Sequence, residues 1–236
     1  MNIFTSELVG TAILILLGNG VVANVVLNKT KGNNSGWIVI TFGWAMAVFI
    51  GVFISSKTSG GHINPAITIA LAYLGKVDLS LVPAYIGGQL SGAMLGSLLV
   101  WLAYKQHYTA TDDTAAKLAT FSTGPAIRNT FHNLITEAIG TFVLVFAVLF
   151  IIAPASSLGA LDALPAAFIV LAIGLSLGGA TGYAINPARD LGPRIMHALL
   201  PIGKKGHSDW AYSWIPVVGP IIGALLAAII FKYYMI

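Results

Sequence analysis

The sequence predicts an all-α membrane protein, with six transmembrane helices and two re-entrant half-helices arranged as an inverted repeat within one transmembrane domain, residues 1–236. Three observations support this. Of 236 residues, 57% are hydrophobic and only 8% charged, where a soluble domain carries roughly 25% charge. Six apolar runs approach or reach the roughly 20 residues that cross a ~30 Å hydrocarbon core. Three landmarks also recur in the same order. ELVGT at Glu7 returns as EAIGT at Glu137, and SGGHINPA at Ser59 returns as TGYAINPA at Thr181. GGQLSGA around Gly88 and Gly92 returns as GPIIGA around Gly219 and Gly223, so the offsets are 130, 122 and 131 residues. Such regular spacing divides the chain into two halves, about 1–105 and 130–236.

Residues 8–27 and 37–54 form the first two spans. Residues 64–74 form the first half-helix: Pro65 suits the first helical position, and Gly75 ends the run. Eleven residues at 1.5 Å each cover about 16 Å, half a bilayer. The third span, 81–104, carries Gly88, Gly92 and Gly96 at four-residue spacing, the mark of a close helix contact. The longest polar connection, 105–133, precedes the fourth and fifth spans at 134–153 and 163–180. Residues 186–200 form the second half-helix, ending before Pro201, and 215–234 the sixth span. Three spans per half is an odd number, so the second half enters the membrane from the opposite face. Inverted repeats place functional sites near the midplane, on broken helices. Irregular backbone at that depth must line a wet cavity or be buried in protein, and the fold therefore implies a pore.

The net charge of +4 comes from scattered lysines, with no basic stripe and no nucleic-acid motif. The absence of cysteine excludes disulfides, thiol catalysis and cysteine metal sites. No metal and no cofactor is expected. A half-helix N-terminus carries about +0.5 elementary charge. Two of them facing at the midplane make a positive centre that a cation would have to cross, and Asn64 and Asn186 present amide donors there. Glu7 and Glu137 would be costly as isolated carboxylates in lipid. Each is expected to face inward and accept hydrogen bonds from the N–H groups of a re-entrant loop. His62 has no second metal ligand nearby in sequence and is expected to brace its loop. Asn19 and Asn24 face either a partner or a vestibule.

HINPAITIA (from His62) and GYAINPARDLGP (from Gly182) resemble the two signature segments of the aquaporin, or major intrinsic protein, family. The resemblance covers essentially the whole chain. It implies a homotetramer in the bacterial plasma membrane, with one pore per protomer and both termini cytoplasmic, and no enzymatic activity. Pores of this family select by diameter, lining hydrogen-bond groups and electrostatic barriers, as the resemblance implies here. Carried over position by position, the pore centre comprises Asn64, Pro65, Ala66, Asn186, Pro187 and Ala188. Carbonyls of Gly60, Gly61, His62 and Ile63, and of Gly182, Tyr183, Ala184 and Ile185, line the path. Trp44, Gly174, Tyr183 and Arg189 form a selectivity filter, with Gly174 leaving room and exposing carbonyls. That set, together with Asp190, resembles the aquaglyceroporin branch, and Asp190 joins Glu7 and Glu137 as loop support. The implied solutes are glycerol, water, dihydroxyacetone, urea and undissociated lactic acid.

Loop charge points the other way. With cytoplasmic termini, Lys57, Lys76 and Lys232 lie in inner loops, whereas Lys29, Lys31, Lys105, Lys117, Arg128, Arg194, Lys204 and Lys205 lie in outer ones. The full-length repeat outweighs this count. Two other classes compete with a channel. A secondary active transporter shares inverted repeats and broken helices, but no span carries a series of carboxylates for ion coupling. An intramembrane hydrolase lacks any nucleophile motif.

Overall fold

The computed structural model describes residues 1–151 and 156–235. Among the described residues the regular structure is entirely helical. The helices are α1 (Ile3–Val26), α2 (Trp37–Ser59), α3 (Pro65–Tyr73), α4 (Val82–Ala110), α5 (Thr114–Ala119), α6 (Thr130–Leu149), α7 (Leu164–Ser176), α8 (Pro187–Leu199) and α9 (Ile215–Met235). Among the described residues, six apolar elements are long enough to cross a membrane. An even number of crossings puts both termini on one side, here called the terminal face. The opposite, long-loop face carries residues 27–36, the connection containing α5, and residues 200–214.

Capping chemistry moves several boundaries from where hydropathy alone sets them. Helix α1 starts at Ile3 because Asn2 accepts a hydrogen bond from Thr5 N–H at 2.8 Å. Helix α6 starts at Thr130, with the Asn129 side chain accepting from His132 N–H at 3.1 Å. It ends at Leu149, and the expected end of that span, residues 152–153, lies outside the described residues. Helix α4 runs on to Ala110, and α7 stops at Ser176, short of the expected residue 180. The short helix α3 closes in a Schellman-type turn: Gly75 adopts φ 69°, and Lys76 N–H donates to Leu71 O at 2.9 Å.

Glycines set the main packing contacts. A Cβ on Gly88, Gly92 or Gly96 of α4 would strike the carbonyl oxygens of Phe4, Leu8 and Ala12 on α1. On the other side of the molecule, Gly223 of α9 lies against the backbone of Ala138, and Gly219 against Leu134 O of α6. Backbones meeting this closely gain dispersion contacts that larger residues would prevent. The half-helices cross between the halves: α3 packs chiefly on α9, and α8 chiefly on α4. Small residues make both seats. Ala66 and Ala70 are buried with Ala224, Ala227 and Ala228, while Gly192 sits against Ala93.

Gly223→Leu should therefore cost about 2 kcal/mol or more, the scale of overpacking a tight contact. Gly20→Ala, which meets nothing within 4 Å, should leave stability equal or higher. Thermal unfolding of the purified protein in detergent tests the pair, and equal melting temperatures for wild type and Gly223→Leu would contradict the packing argument.

Candidate functional site

Two loops descend from opposite faces and end at the N-termini of α3 and α8. In the first, α2 ends in the left-handed region at Gly60 (φ 80°), followed by Gly61 at φ 68°. Ile63 and Ile185 both adopt φ 43°, and Tyr183 φ 38°. A β-branched residue at positive φ is strained and persists only where its surroundings overdetermine it. Buried carboxylates supply that constraint. Glu7 accepts from His62 N–H (3.1 Å), Ile63 N–H (2.7 Å), the Ser59 hydroxyl and the Gln89 amide. Glu137 accepts from Ala184 N–H (3.1 Å), Ile185 N–H (2.9 Å) and the Thr181 hydroxyl. Gln89 also donates to Thr68, whose hydroxyl meets His62 Nδ1 at 3.0 Å. The His62 ring stacks on Tyr85 at 4.4 Å, and the Tyr85 hydroxyl donates to Ser59 O.

The loops join at the centre through their asparagines. Asn64 Oδ1 accepts from Ala66 N–H, and Asn186 Oδ1 accepts from Ala188 and Arg189 N–H, capping α3 and α8. This fixes both amide groups with their NH2 ends outward. Asn64 Nδ2 donates to Ile185 O at 2.9 Å, and Asn186 Nδ2 donates to Ile63 O at 2.8 Å. Each amide uses one donor on the opposite loop and keeps another. Pro65, Ala66, Pro187 and Ala188 are buried behind the asparagines as the first residues of the half-helices.

Two cavities flank this neighbourhood. The central one, about 70 Å³, is bordered by His62, Ile63, Asn64, Ala184, Ile185 and Asn186, with Leu14, Val48, Val52, Ile67, Leu144 and Val170 as its apolar wall. The second, about 360 Å³, lies toward the long-loop face beside Gly182, Thr123 and Trp37. Gly60 and Gly61 border neither. Trp44, Tyr183 and Arg189 border both, and so form the neck between them. The Arg189 guanidinium lies over the Trp44 indole, 4.1 Å from its centroid, and Nη1 donates to Phe121 O at 3.3 Å. Gly174 stands behind the neck: a Cβ there would come within 3.0 Å of Thr41 and 2.9 Å of Tyr183 Cζ. Its carbonyl, expected to be open to the path, accepts from Trp37 Nε1–H at 3.0 Å. Asn19 donates to the same Phe121 O that Arg189 uses, whereas Asn24 folds onto the loop at Gly32.

Asp190 sits one residue beyond Arg189, where its Oδ2 accepts from both N–H and Oγ–H of Thr123 at 2.7 Å. Arg194, counted above among the loop charges, is instead a fully buried residue of α8 that pairs with Asp190 at 2.8 Å, both side chains 0% exposed. The four-residue spacing on a helix brings them together. Arg194 also donates to the carbonyls of Thr123, Ser208 and Asp209, so one ion pair ties two long-loop segments to α8. Lys205 closes the far end of α8 by donating to Ala198 O and Leu200 O, and partial burial holds its pKa below that of an ordinary lysine. The network also includes Gln89, Arg194, Thr123, Ser59, Thr181 and Trp37, none of them expected at the site, although Ser59 and Thr181 open the two repeated segments and Gln89 lies in a third. For Arg194 a signal existed in the i,i+4 spacing from Asp190; for Trp37 none did.

The family model described as Major intrinsic protein matches residues 1–231. The glycerol uptake facilitator protein of Streptococcus pneumoniae is 56% identical, the alignment covering 99% of this chain and 100% of the relative. The probable glycerol uptake facilitator protein of Thermotoga maritima is 55% identical, with 99% of each covered. Among solved structures, the aquaglyceroporin from Plasmodium falciparum superposes with a TM-score of 0.86 at 28% identity, covering 98% of this chain and 95% of that one.

Replacing Asp190 with Asn leaves the Arg194 guanidinium buried without a counter-charge. Breaking such a pair costs roughly 3–5 kcal/mol, so Asp190→Asn should lower the melting temperature clearly, and a wild-type melting curve would rule out the anchoring role.

Proposed function

Since the chain belongs to the major intrinsic protein family, we propose that it is a passive channel for glycerol and other small uncharged solutes in the membrane. The observation that carries this reading is the neck, where Trp44, Tyr183 and Arg189 meet between the two cavities. A polyol has a C–H side and an O–H side. Aromatic surface suits the first, while the fixed guanidinium donors of Arg189 suit the second. Beyond the neck, the remaining donors of Asn64 and Asn186 receive a solute oxygen at the centre.

The same groups oppose ions. Arg189 and the N-terminal ends of α3 and α8 place positive charge along the route, which repels cations and hydronium. An anion such as lactate would lose its hydration in a mostly apolar passage and find few compensating bonds, so only undissociated lactic acid fits. Water, dihydroxyacetone and urea are small and neutral enough to accompany glycerol. A coupled transporter needs a carboxylate free to bind its ion. Glu7, Glu137 and Asp190 are instead each held by several hydrogen bonds, which favours passive conduction. Cytoplasmic termini and a homotetramer are part of the proposal, following the family.

Stopped-flow light scattering on proteoliposomes tests the proposal, with each solute in turn and lactic acid at two pH values. Glycerol flux should far exceed that of protein-free liposomes, and equality would sink the assignment. Gly174→His should cut glycerol more than water, because a side chain there pushes Tyr183 toward the neck. Equal losses of glycerol and water would count against that geometry.

A further inference from the structure

The aromatic residue of the neck is held from behind. Tyr183 is buried, its backbone lies at φ 38° and its hydroxyl has no hydrogen-bond partner among the described residues, so neither backbone preference nor a protein hydrogen bond fixes the ring. Packing must. Trp37, the first residue of α2, meets the Tyr183 ring edge to face, with centroids 5.8 Å apart and planes at 80°. This is a favourable arrangement for two aromatic quadrupoles. Gly174 and Gly178 complete the seat. A Cβ on Gly178 would overlap the Tyr183 ring and stand 2.9 Å from Trp37 Cζ2.

Trp37 is itself fixed. A tryptophan at the end of a membrane span usually turns its N–H toward water or headgroups. This one donates to Gly174 O at 3.0 Å, across 137 residues of sequence. That carbonyl lies in the last turn of α7, where carbonyls lack an intrahelical donor. One indole thus satisfies the end of α7, locks α2 to it and supports the ring of Tyr183. Trp37 borders the long-loop cavity but not the central one, and so stands outside the neck.

We propose that Trp37 is a positioning residue for solute selection: by clamping Tyr183 it sets the largest polyol that the neck passes. The inference rests on the channel reading above and adds a size limit to it. With the indole removed, the ring gains space where Trp37 stood. The neck then widens for solutes longer than glycerol, while water, which already fits, gains little.

The test uses full-length wild type, Trp37→Ala, Trp37→Leu and Trp37→Phe in proteoliposomes. Water, glycerol, the four-carbon polyol erythritol and the five-carbon polyol xylitol are measured for each, normalised to folded protein. The erythritol-to-glycerol ratio should rise on the order of tenfold in Trp37→Ala and Trp37→Leu, the scale of discrimination by one methylene-sized space. Trp37→Phe keeps an edge-on ring and should return most of the way to wild type. If Trp37→Ala does not fold, Trp37→Leu, which retains apolar bulk, decides alone. An unchanged ratio, or a parallel fall for all solutes, would overturn the inference. Wild-type glycerol flux no faster than bare liposomes would instead remove the channel reading, and this inference with it.

Discussion

Four backbone N–H groups, those of His62, Ile63, Ala184 and Ile185, are the constraint on which the rest of the structure depends. They belong to non-helical chain deep inside an apolar protein, where an unpaired amide costs several kcal/mol. Two carboxylates meet the need, each accepting from two consecutive amides. Once the loops are held, the half-helices start where they must, and each asparagine reaches across to a carbonyl of the opposite loop. The strained dihedrals of Ile63 and Ile185 are consequences of this arrangement, not independent choices. Few side chains could replace Glu7 and Glu137, because only a carboxylate accepts several bonds while donating none.

The two halves share this scaffold and differ in what surrounds it. Around the first loop lie Gln89, Thr68, His62 and Tyr85, a network that braces the chain. Around the second, the corresponding space holds Arg189 at the neck and the Asp190–Arg194 pair behind it. One buried cation, Arg189, borders the two cavities, and the other, Arg194, is paired with a carboxylate. The repeat thus builds a symmetric centre with the neck of Trp44, Tyr183 and Arg189 on one side only, and the proposed channel would select there.

Much of the fold was legible because the chain states it twice. The paired Asn-Pro-Ala segments announced two helix starts, and the recurrence of Glu7 at Glu137 singled out two carboxylates among eight acidic residues. Span ends were less legible, since hydropathy does not register caps. The polar start of α1 reads as a loop, yet Ser6 is buried and donates to Ser55 O. Arg194 was misplaced for a related reason: a charge buried against its partner scores like a charge in water. Trp37 was silent because its meaning lies in a contact with Gly174 and Tyr183, which only the closed bundle creates.

The crossing of the half-helices has a consequence for how such a chain is made. Helix α3 leaves the ribosome early, but its main neighbour, α9, follows every other described helix. Until then Ala66 and Ala70 lack the wall of Ala224, Ala227 and Ala228, and α3 has only its lesser packing on α4, α6 and α8. Its loop can already be gripped by Glu7 and Gln89, both from the first half. Early translation therefore yields a tethered but incompletely seated half-helix, and the arrival of α9 completes its seat. Seating of the first half-helix thus waits on the second half of the chain.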